Sequence, residues 1–137
     1  MEQSIQHSLA GLPAFAAYFA LALALLGLFL AVYLWMTPYP EIRLIREGNV
    51  AAATSLGGAA IGFVLPLASA IEGSVSLLDM LLWAGVAAIV QLFAYFLVHR
   101  LVPDLPRNVS EGKLASAVLL AAIAIALGLL NAACMSY

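Results

Sequence analysis

The side chains that could support acid–base or nucleophilic chemistry are few and widely separated in this sequence. His7 and His99 are its two histidines, Cys134 is its one cysteine, and no CxxC pair or His/Cys cluster with metal-ligand spacing occurs. HExxH, Walker and GxGxxG motifs are also missing. We therefore expect no catalytic residue, no metal site and no cofactor, and we expect that the protein is not an enzyme.

Composition places the chain in a lipid environment. Of its 137 residues, 66% are hydrophobic and only 9% are charged, whereas a soluble domain carries about 25% charged residues. The net charge is -2, so the sequence lacks the basic footprint of a nucleic-acid-binding protein. We predict one integral membrane domain over residues 1–137, with the lipid bilayer as its surroundings and no nucleic-acid partner.

Four apolar stretches are long enough to cross a bilayer, whose hydrocarbon core of about 30 Å needs roughly 20 residues of helix. They cover residues 12–36, 50–71, 80–98 and 114–134, and none contains Lys, Arg, Asp or Glu. An unpaired charge in the middle of the membrane is costly, so this distribution is typical of membrane-spanning segments. The sequence predicts an all-α polytopic protein with four transmembrane helices.

The cationic residues predict an orientation. All five lie in two connections, Arg43 and Arg46 between the first two spans and Arg100, Arg107 and Lys113 between the last two. Because cytoplasmic loops are enriched in Lys and Arg, both connections are expected in the cytoplasm. Both termini are then expected on the other side of the membrane.

An internal repeat relates the two halves of the chain. An offset of 64 residues aligns the segment beginning Glu47-Gly48-Asn49 with the segment beginning Glu111-Gly112-Lys113, and further pairs follow in the same register. We predict two tandem helical hairpins, about residues 12–71 and 76–135. Because each hairpin has two spans, both would have the same topology, and a pseudo-twofold axis would run along the membrane normal.

The second span concentrates small residues. Gly58 and Gly62 form a GxxxG step, Ser55 extends the small-residue stripe, and Pro66 removes one backbone hydrogen bond. Such a helix could line a pore or form a gating joint, but close helix packing, within one protomer or between protomers, is the commoner use of this pattern. We take these residues as candidates for helix packing or pore shaping.

Two amides within the spans are further candidates for the same role. Gln91 lies in the middle of the third span and Asn131 near the end of the fourth. An unsatisfied amide in hydrocarbon costs a few kcal/mol, so each is expected to bond across helices. Contact with a ligand or an ion is the alternative.

The first connection, TPYPEIRLIREGN, interleaves apolar residues with charged ones. It predicts a short amphipathic element, including Glu41, that lies on the membrane surface. Arg43, Arg46 and Glu47 are candidate contacts for lipid phosphates or for a partner protein. The alternative is that the arginines only signal topology.

Several stretches together resemble the YjfL-like family of bacterial inner-membrane proteins, known as domain of unknown function 350. The matching stretches are Thr37-Pro38-Tyr39, Leu44-Ile45-Arg46-Glu47-Gly48-Asn49, Gly57-Gly58-Ala59, Ile61-Gly62-Phe63, Pro66-Leu67-Ala68-Ser69, Gln91-Leu92 and Gly128-Leu129-Leu130-Asn131-Ala132-Ala133-Cys134-Met135. The resemblance implies a multi-pass protein of the bacterial inner membrane with two two-helix repeats. It implies no biochemical activity and no functional residue with a defined role.

Three classes of function remain at this point, and a membrane-embedded enzyme is the least favoured because no catalytic constellation occurs. The first is a structural or partner-binding membrane subunit that forms homo-oligomers or docks another membrane protein, with the second span as the contact between copies. The second is a small-solute or ion channel or transporter built from several copies, because four helices alone enclose little space.

Overall fold

The computed structural model describes residues 1–135, and Ser136 and Tyr137 lie outside the described part of the predicted domain. Residues 1–135 form helices and connecting turns, with no strand. The helices are α1 Glu2–Ala10, α2 Leu12–Met36, α3 Glu41–Arg46, α4 Val50–Gly73, α5 Leu77–Leu101, α6 Leu105–Ser110 and α7 Leu114–Cys134.

Four of these helices, α2, α4, α5 and α7, are long and apolar enough to span a membrane, as the sequence predicts. The bounds of α2 and α7 match the predicted spans, whereas α5 is three residues longer at each end than the predicted third span. The extension at its start is stabilised by Ser76, whose hydroxyl accepts a hydrogen bond from the Asp79 N–H. Helix α1 continues almost directly into α2 and was not predicted.

Helices α4, α5 and α7 form the packed core of the molecule. The most extensive contact is between α4 and α7, and α5 packs against both. Helix α2 joins this core mainly through its second half, where Phe29 stacks on Phe63 of α4 with ring centroids 4.5 Å apart. Its first half is largely exposed, with Phe15 62% and Phe19 53% accessible. The chain therefore has a three-helix core with a fourth, partly separated helix.

The two connecting helices, α3 and α6, lie at the same end of the core and have matching bounds. Both begin and end 64 residues apart, and each is followed by a glycine in the left-handed region, Gly48 at φ 88° and Gly112 at φ 78°. Only glycine adopts this conformation without a steric penalty, so these two turns need it. The duplication itself stays a prediction.

Asn49 connects the two halves at this end, which we call the α3/α6 end. Its Oδ1 accepts a hydrogen bond from the Ala52 N–H and so caps the start of α4. Its Nδ2 donates to the Val109 carbonyl of α6 at 2.9 Å. One side chain thus fixes the start of α4 relative to α6.

Candidate functional site

The glycines of the predicted GxxxG step lie in the α4–α7 contact of a single chain. A methyl group on Gly58 would overlap Cα and Cβ of Ala121, and one on Gly62 would lie 2.5 Å from the Ala124 carbonyl oxygen. Both glycines are buried there. The expectation that this face of the second span joins separate copies is therefore wrong, because α7 of the same chain covers it.

Pro66 continues α4 without ending it, and it affects the same contact. Because proline has no N–H, the carbonyl four residues earlier, that of Gly62, loses its usual helical donor. This carbonyl oxygen faces Gly128 of α7 so closely that no side chain would fit at Gly128. Gly128 is thus a packing residue that the sequence analysis did not identify.

Gln91 ties α5 to the same level of the core. Its Nε2 donates a hydrogen bond to the Ala124 carbonyl at 3.0 Å, and its Oε1 lies beside Gly62 without a hydrogen-bond partner in residues 1–135. The side chain is buried. Gln91 therefore connects three helices at the point where α4 and α7 approach most closely.

The remaining span candidates do not meet Gln91 in one polar site. The Ser55 hydroxyl is buried and donates to the Ala52 carbonyl of its own helix at 3.1 Å. Asn131 is only half-buried, and its Nδ2 has no partner within the described chain. Close to it in the chain, the Ala132 carbonyl accepts a bond from Ser69 of α4 at 3.5 Å. The hydrogen bonds that these polar side chains make are either between helices or within one helix.

A polar cluster lies at the α3/α6 end, under the first turn of α3. Glu41, the first residue of α3, is only 1% exposed, although the sequence analysis placed it on an amphipathic surface element. Its Oε1 is hydrogen-bonded to the Thr37 hydroxyl, and its Oε2 is buried with no partner among residues 1–135. Helix α3 therefore turns one carboxyl inward, toward the core.

Three buried tyrosines lie near this carboxyl. Tyr33 of α2, Tyr39 of the turn before α3 and Tyr95 of α5 each interact electrostatically with Glu41. All three hydroxyls are buried, and none makes a hydrogen bond of normal geometry within the described residues. Rings of Tyr33 and Tyr95 meet edge to face, with centroids 5.9 Å apart. We call these five residues, Tyr33, Thr37, Tyr39, Glu41 and Tyr95, the Glu41 cluster.

Burial controls protonation in the Glu41 cluster. It raises the pKa of the Glu41 carboxyl from 4.5 to about 7, although the bond from Thr37 acts in the opposite direction. Burial, together with the nearby Glu41 charge, also raises the pKa of the Tyr39 hydroxyl. No ion pair involves Glu41 within residues 1–135; the salt bridges there join Asp104, Arg107, Glu111 and Lys113.

The Thr37 hydroxyl links the carboxyl to the end of α2. It is hydrogen-bonded to the Glu41 carboxyl and lies 3.2 Å from the Leu34 carbonyl oxygen. A hydrogen bond donated by Thr37 favours the ionised carboxyl, so this bond and burial act on the Glu41 pKa in opposite directions.

The loop candidates face away from this cluster. Arg43, Arg46 and Glu47 are exposed at the α3/α6 end, and none forms an ion pair with a residue of the described chain. They are free to meet lipid headgroups or a partner. No group of three or more His, Cys, Asp or Glu side chains forms in residues 1–135. The possible metal ligands of the Glu41 cluster are one carboxylate and four hydroxyl oxygens.

Helix α2 carries a further surface feature on the side away from the core. Small residues recur there at alternating spacings of three and four, and we call them the outer stripe: Ala17, Ala20, Ala24, Gly27 and Ala31. All five are exposed, and Gly27 has no other side chain or helix within 4 Å of where a methyl group would point. Phe29 and Tyr33, which face the core, lie on the opposite side of the helix.

Comparison with known proteins identifies the family. The model described as "Domain of Unknown Function (DUF350)" matches residues 7–135. The chain belongs to the DUF350 family. This confirms the resemblance seen in the sequence. No solved structure gives a significant match.

Two curated DUF350 relatives show how far the similarity extends. The chain is 36% identical over 131 residues to "UPF0719 inner membrane protein YjfL" of Escherichia coli strain K12, covering 96% of this chain and 99% of the relative. It is 34% identical over 88 residues to "UPF0719 transmembrane protein YshE" of Bacillus subtilis strain 168, covering 64% and 66%. With four helices suited to spanning a bilayer, this member of DUF350 is a multi-pass inner-membrane protein.

Sequence reasoning missed the Glu41 cluster and the outer stripe for different reasons. A glutamate that follows a proline in a charged loop is usually solvated, so its burial was not expected. The repeat offset did contain a signal, because position 105, the counterpart of Glu41, is a leucine. Alanines in an apolar helix are common, and the exposure of the stripe becomes visible only when the packing of α2 is known.

Proposed function

We propose that this protein is a structural membrane subunit that assembles with further copies of itself through the outer stripe of α2. The observation that carries the proposal is the exposure of α2: only 6% of its most apolar stretch is buried within the chain. Lipid alone can cover an apolar helix, so exposure by itself does not require a partner. The arrangement of small residues supplies the further argument.

Small residues favour helix association in membranes because they let two backbones approach closely. The outer stripe repeats every seven residues in steps of three and four, which is the spacing of a left-handed helix pair. All copies insert with the same orientation, so two α2 helices would meet in parallel around a twofold axis along the membrane normal. A second copy of this chain is therefore the occupant that the stripe suits best.

The packing of the core limits the alternative of a channel. Gln91 and Ser69 bond neighbouring helices, and Ser55 bonds its own helix, so these polar groups do not line a common path. The close approach of α4 and α7 at Gly62 leaves no room between them. A pore would have to form between copies, and residues 1–135 present no polar stripe along α2 for it.

The proposal includes an orientation. The excess of arginine and lysine in the two connections supports a cytoplasmic position for α3 and α6, with both termini on the other side. Arg43, Arg46 and Glu47 would then be available on the cytoplasmic face for anionic lipid or a second protein. The role proposed is structural and not catalytic.

The test is the mass of the assembly in lipid nanodiscs, measured by native mass spectrometry. The wild-type protein is expected as a dimer or a larger closed assembly, and Ala24→Leu and Gly27→Leu are expected to shift it to the monomer. Gly57→Leu is the matched control, because Gly57 is an exposed helical glycine with no other side chain or helix within 4 Å of it. A monomeric wild type, or equal loss of assembly in the control, would contradict the proposal.

A further inference from the structure

We propose that the Glu41 cluster is a binding site for one alkali-metal cation. This inference concerns the core of a single chain and does not depend on whether copies assemble through α2.

The cluster offers only oxygen atoms as ligands. Its polar groups are one carboxylate and the hydroxyls of one threonine and three tyrosines. Hard cations take oxygen ligands, whereas zinc and copper favour nitrogen and sulfur. The Glu41 Oε2 and the Tyr95 hydroxyl are buried without a hydrogen-bond partner within residues 1–135, and the Tyr33 and Tyr39 hydroxyls are buried near each other without a bond of normal geometry. A buried carboxylate oxygen without a partner, with buried hydroxyls in the same cluster, suits coordination of a hard cation.

The charge of the cluster favours a monovalent cation. Glu41 is the only acidic side chain in the cluster, and a buried carboxylate without a positive partner is strongly disfavoured. One monovalent cation neutralises it, whereas a divalent cation would leave a net buried charge. When the metal ion enters, the carboxyl releases its proton, so the net charge of the site does not change.

The corresponding place in the second half of the chain is apolar. The four cluster members of the first half have apolar counterparts 64 residues later: Tyr33 corresponds to Leu97, Thr37 to Leu101, Tyr39 to Pro103 and Glu41 to Leu105. Leu105 begins α6 as Glu41 begins α3, and it is 0% exposed. Since leucine anchors the same element in the same place, packing alone does not require the carboxyl.

No cationic side chain neutralises Glu41 within the described chain. Around it lie Tyr33 of α2, Thr37 and Tyr39 of the turn after α2, and Tyr95 of α5, behind which lies His99 with ring centroids 5.9 Å from Tyr95. Arg43 and Arg46 of α3 and Arg100 of α5 are exposed, and none of them forms an ion pair with Glu41.

The experiment is equilibrium binding of radioactive sodium and rubidium ions to the full chain in zwitterionic nanodiscs at pH 8. Saturable binding of either ion, one per chain, is expected for the wild type, with at least a tenfold loss of affinity in Glu41→Gln and Glu41→Leu. The leucine variant reproduces the residue at position 105 and should fold. Glu47→Gln removes an exposed carboxylate from the same loop, and it should bind as the wild type does.

A second measurement separates a metal-ion site from a site for protons alone. Infrared titration of the Glu41 carboxyl is carried out in sodium or potassium chloride and in N-methylglucamine chloride of equal ionic strength. The proposal expects a lower apparent pKa in one of the alkali salts. Identical titrations in all salts, or no saturable ion binding, or equal binding in Glu41→Leu, would each overturn it.

Discussion

The carbonyl oxygen of Gly62 in α4 lies directly against Gly128 of α7. Pro66 deprives this carbonyl of its usual helical donor, and the missing side chain at Gly128 lets the two backbones approach within reach of a weak Cα–H···O contact. The Gly62 backbone of α4 and Gly128 of α7 thus meet in a close backbone contact. The core depends on small groups on both sides of this contact.

Replacing Gly58 by alanine should destabilise the core. The added methyl group would overlap Ala121, and overpacking of a close helix contact typically costs about 1–3 kcal/mol. Gly57→Ala is the control, since a methyl group there meets nothing within 4 Å, and its change should stay within about 1 kcal/mol, the size of the helix-propensity difference. Reversible unfolding in mixed micelles gives the change in the free energy of unfolding for both variants. Equal changes would contradict the described α4–α7 contact.

Replacing Gln91 by methionine tests the amide bond across helices. The change keeps the side-chain volume but removes the 3.0 Å bond to the Ala124 carbonyl. Interhelical hydrogen bonds in membranes contribute about 0.6 kcal/mol on average and rarely more than about 1.7 kcal/mol. We therefore expect the free energy of unfolding to fall by an amount in that range in the same assay. A much larger fall in the free energy of unfolding, or a specific loss of ion permeation in vesicles, would favour a polar path through the core.

Glu41 should make stability depend on pH. Its pKa is 4.5 when solvated and about 7 in the folded protein, so between these values the folded state holds a proton that the unfolded state has released. Stability is therefore highest below about pH 4.5, falls as the pH rises to about 7, and levels off above that, with a total change on the order of 3 kcal/mol.

Unfolding measured from pH 4 to 8 in the absence of alkali salts checks this dependence. Glu41→Gln should remove most of the slope, because glutamine does not titrate, whereas Glu47→Gln should leave it unchanged. A slope of the opposite sign, or a wild-type slope retained in Glu41→Gln, would show that the buried carboxyl is not the titrating group.

The transmembrane architecture could be predicted because two coarse signals determine it. Uncharged runs of about 20 residues are rare outside membrane helices, and all four such runs became helices with nearly the predicted bounds. The two connecting helices were harder to predict, because α3 and α6 have only six residues each. A short amphipathic surface element was expected at α3, but not specifically a helix, and α6 was not expected, although the offset of 64 residues pointed to it.

The site could be predicted only in part, because sequence does not state which surfaces meet. The GxxxG step correctly marked a close helix contact, but the partner of Gly58 could equally have been another copy. The burial of Glu41 could not be predicted from its neighbours in sequence, because it accompanies the burial of Thr37 and Tyr39 in the preceding turn. Tertiary packing, not local pattern, decides these cases.

The most direct test of the account is a cysteine cross-linking scan along α2. Single cysteines are placed at positions 16–31 in a Cys134→Ser background, and disulfide formation between copies is measured in native membranes. Because a disulfide needs Cα atoms within about 7 Å, the account predicts maxima at positions 17, 20, 24, 27 and 31 of the outer stripe. Uniformly low cross-linking, or maxima on the side of Phe29, would contradict assembly through α2.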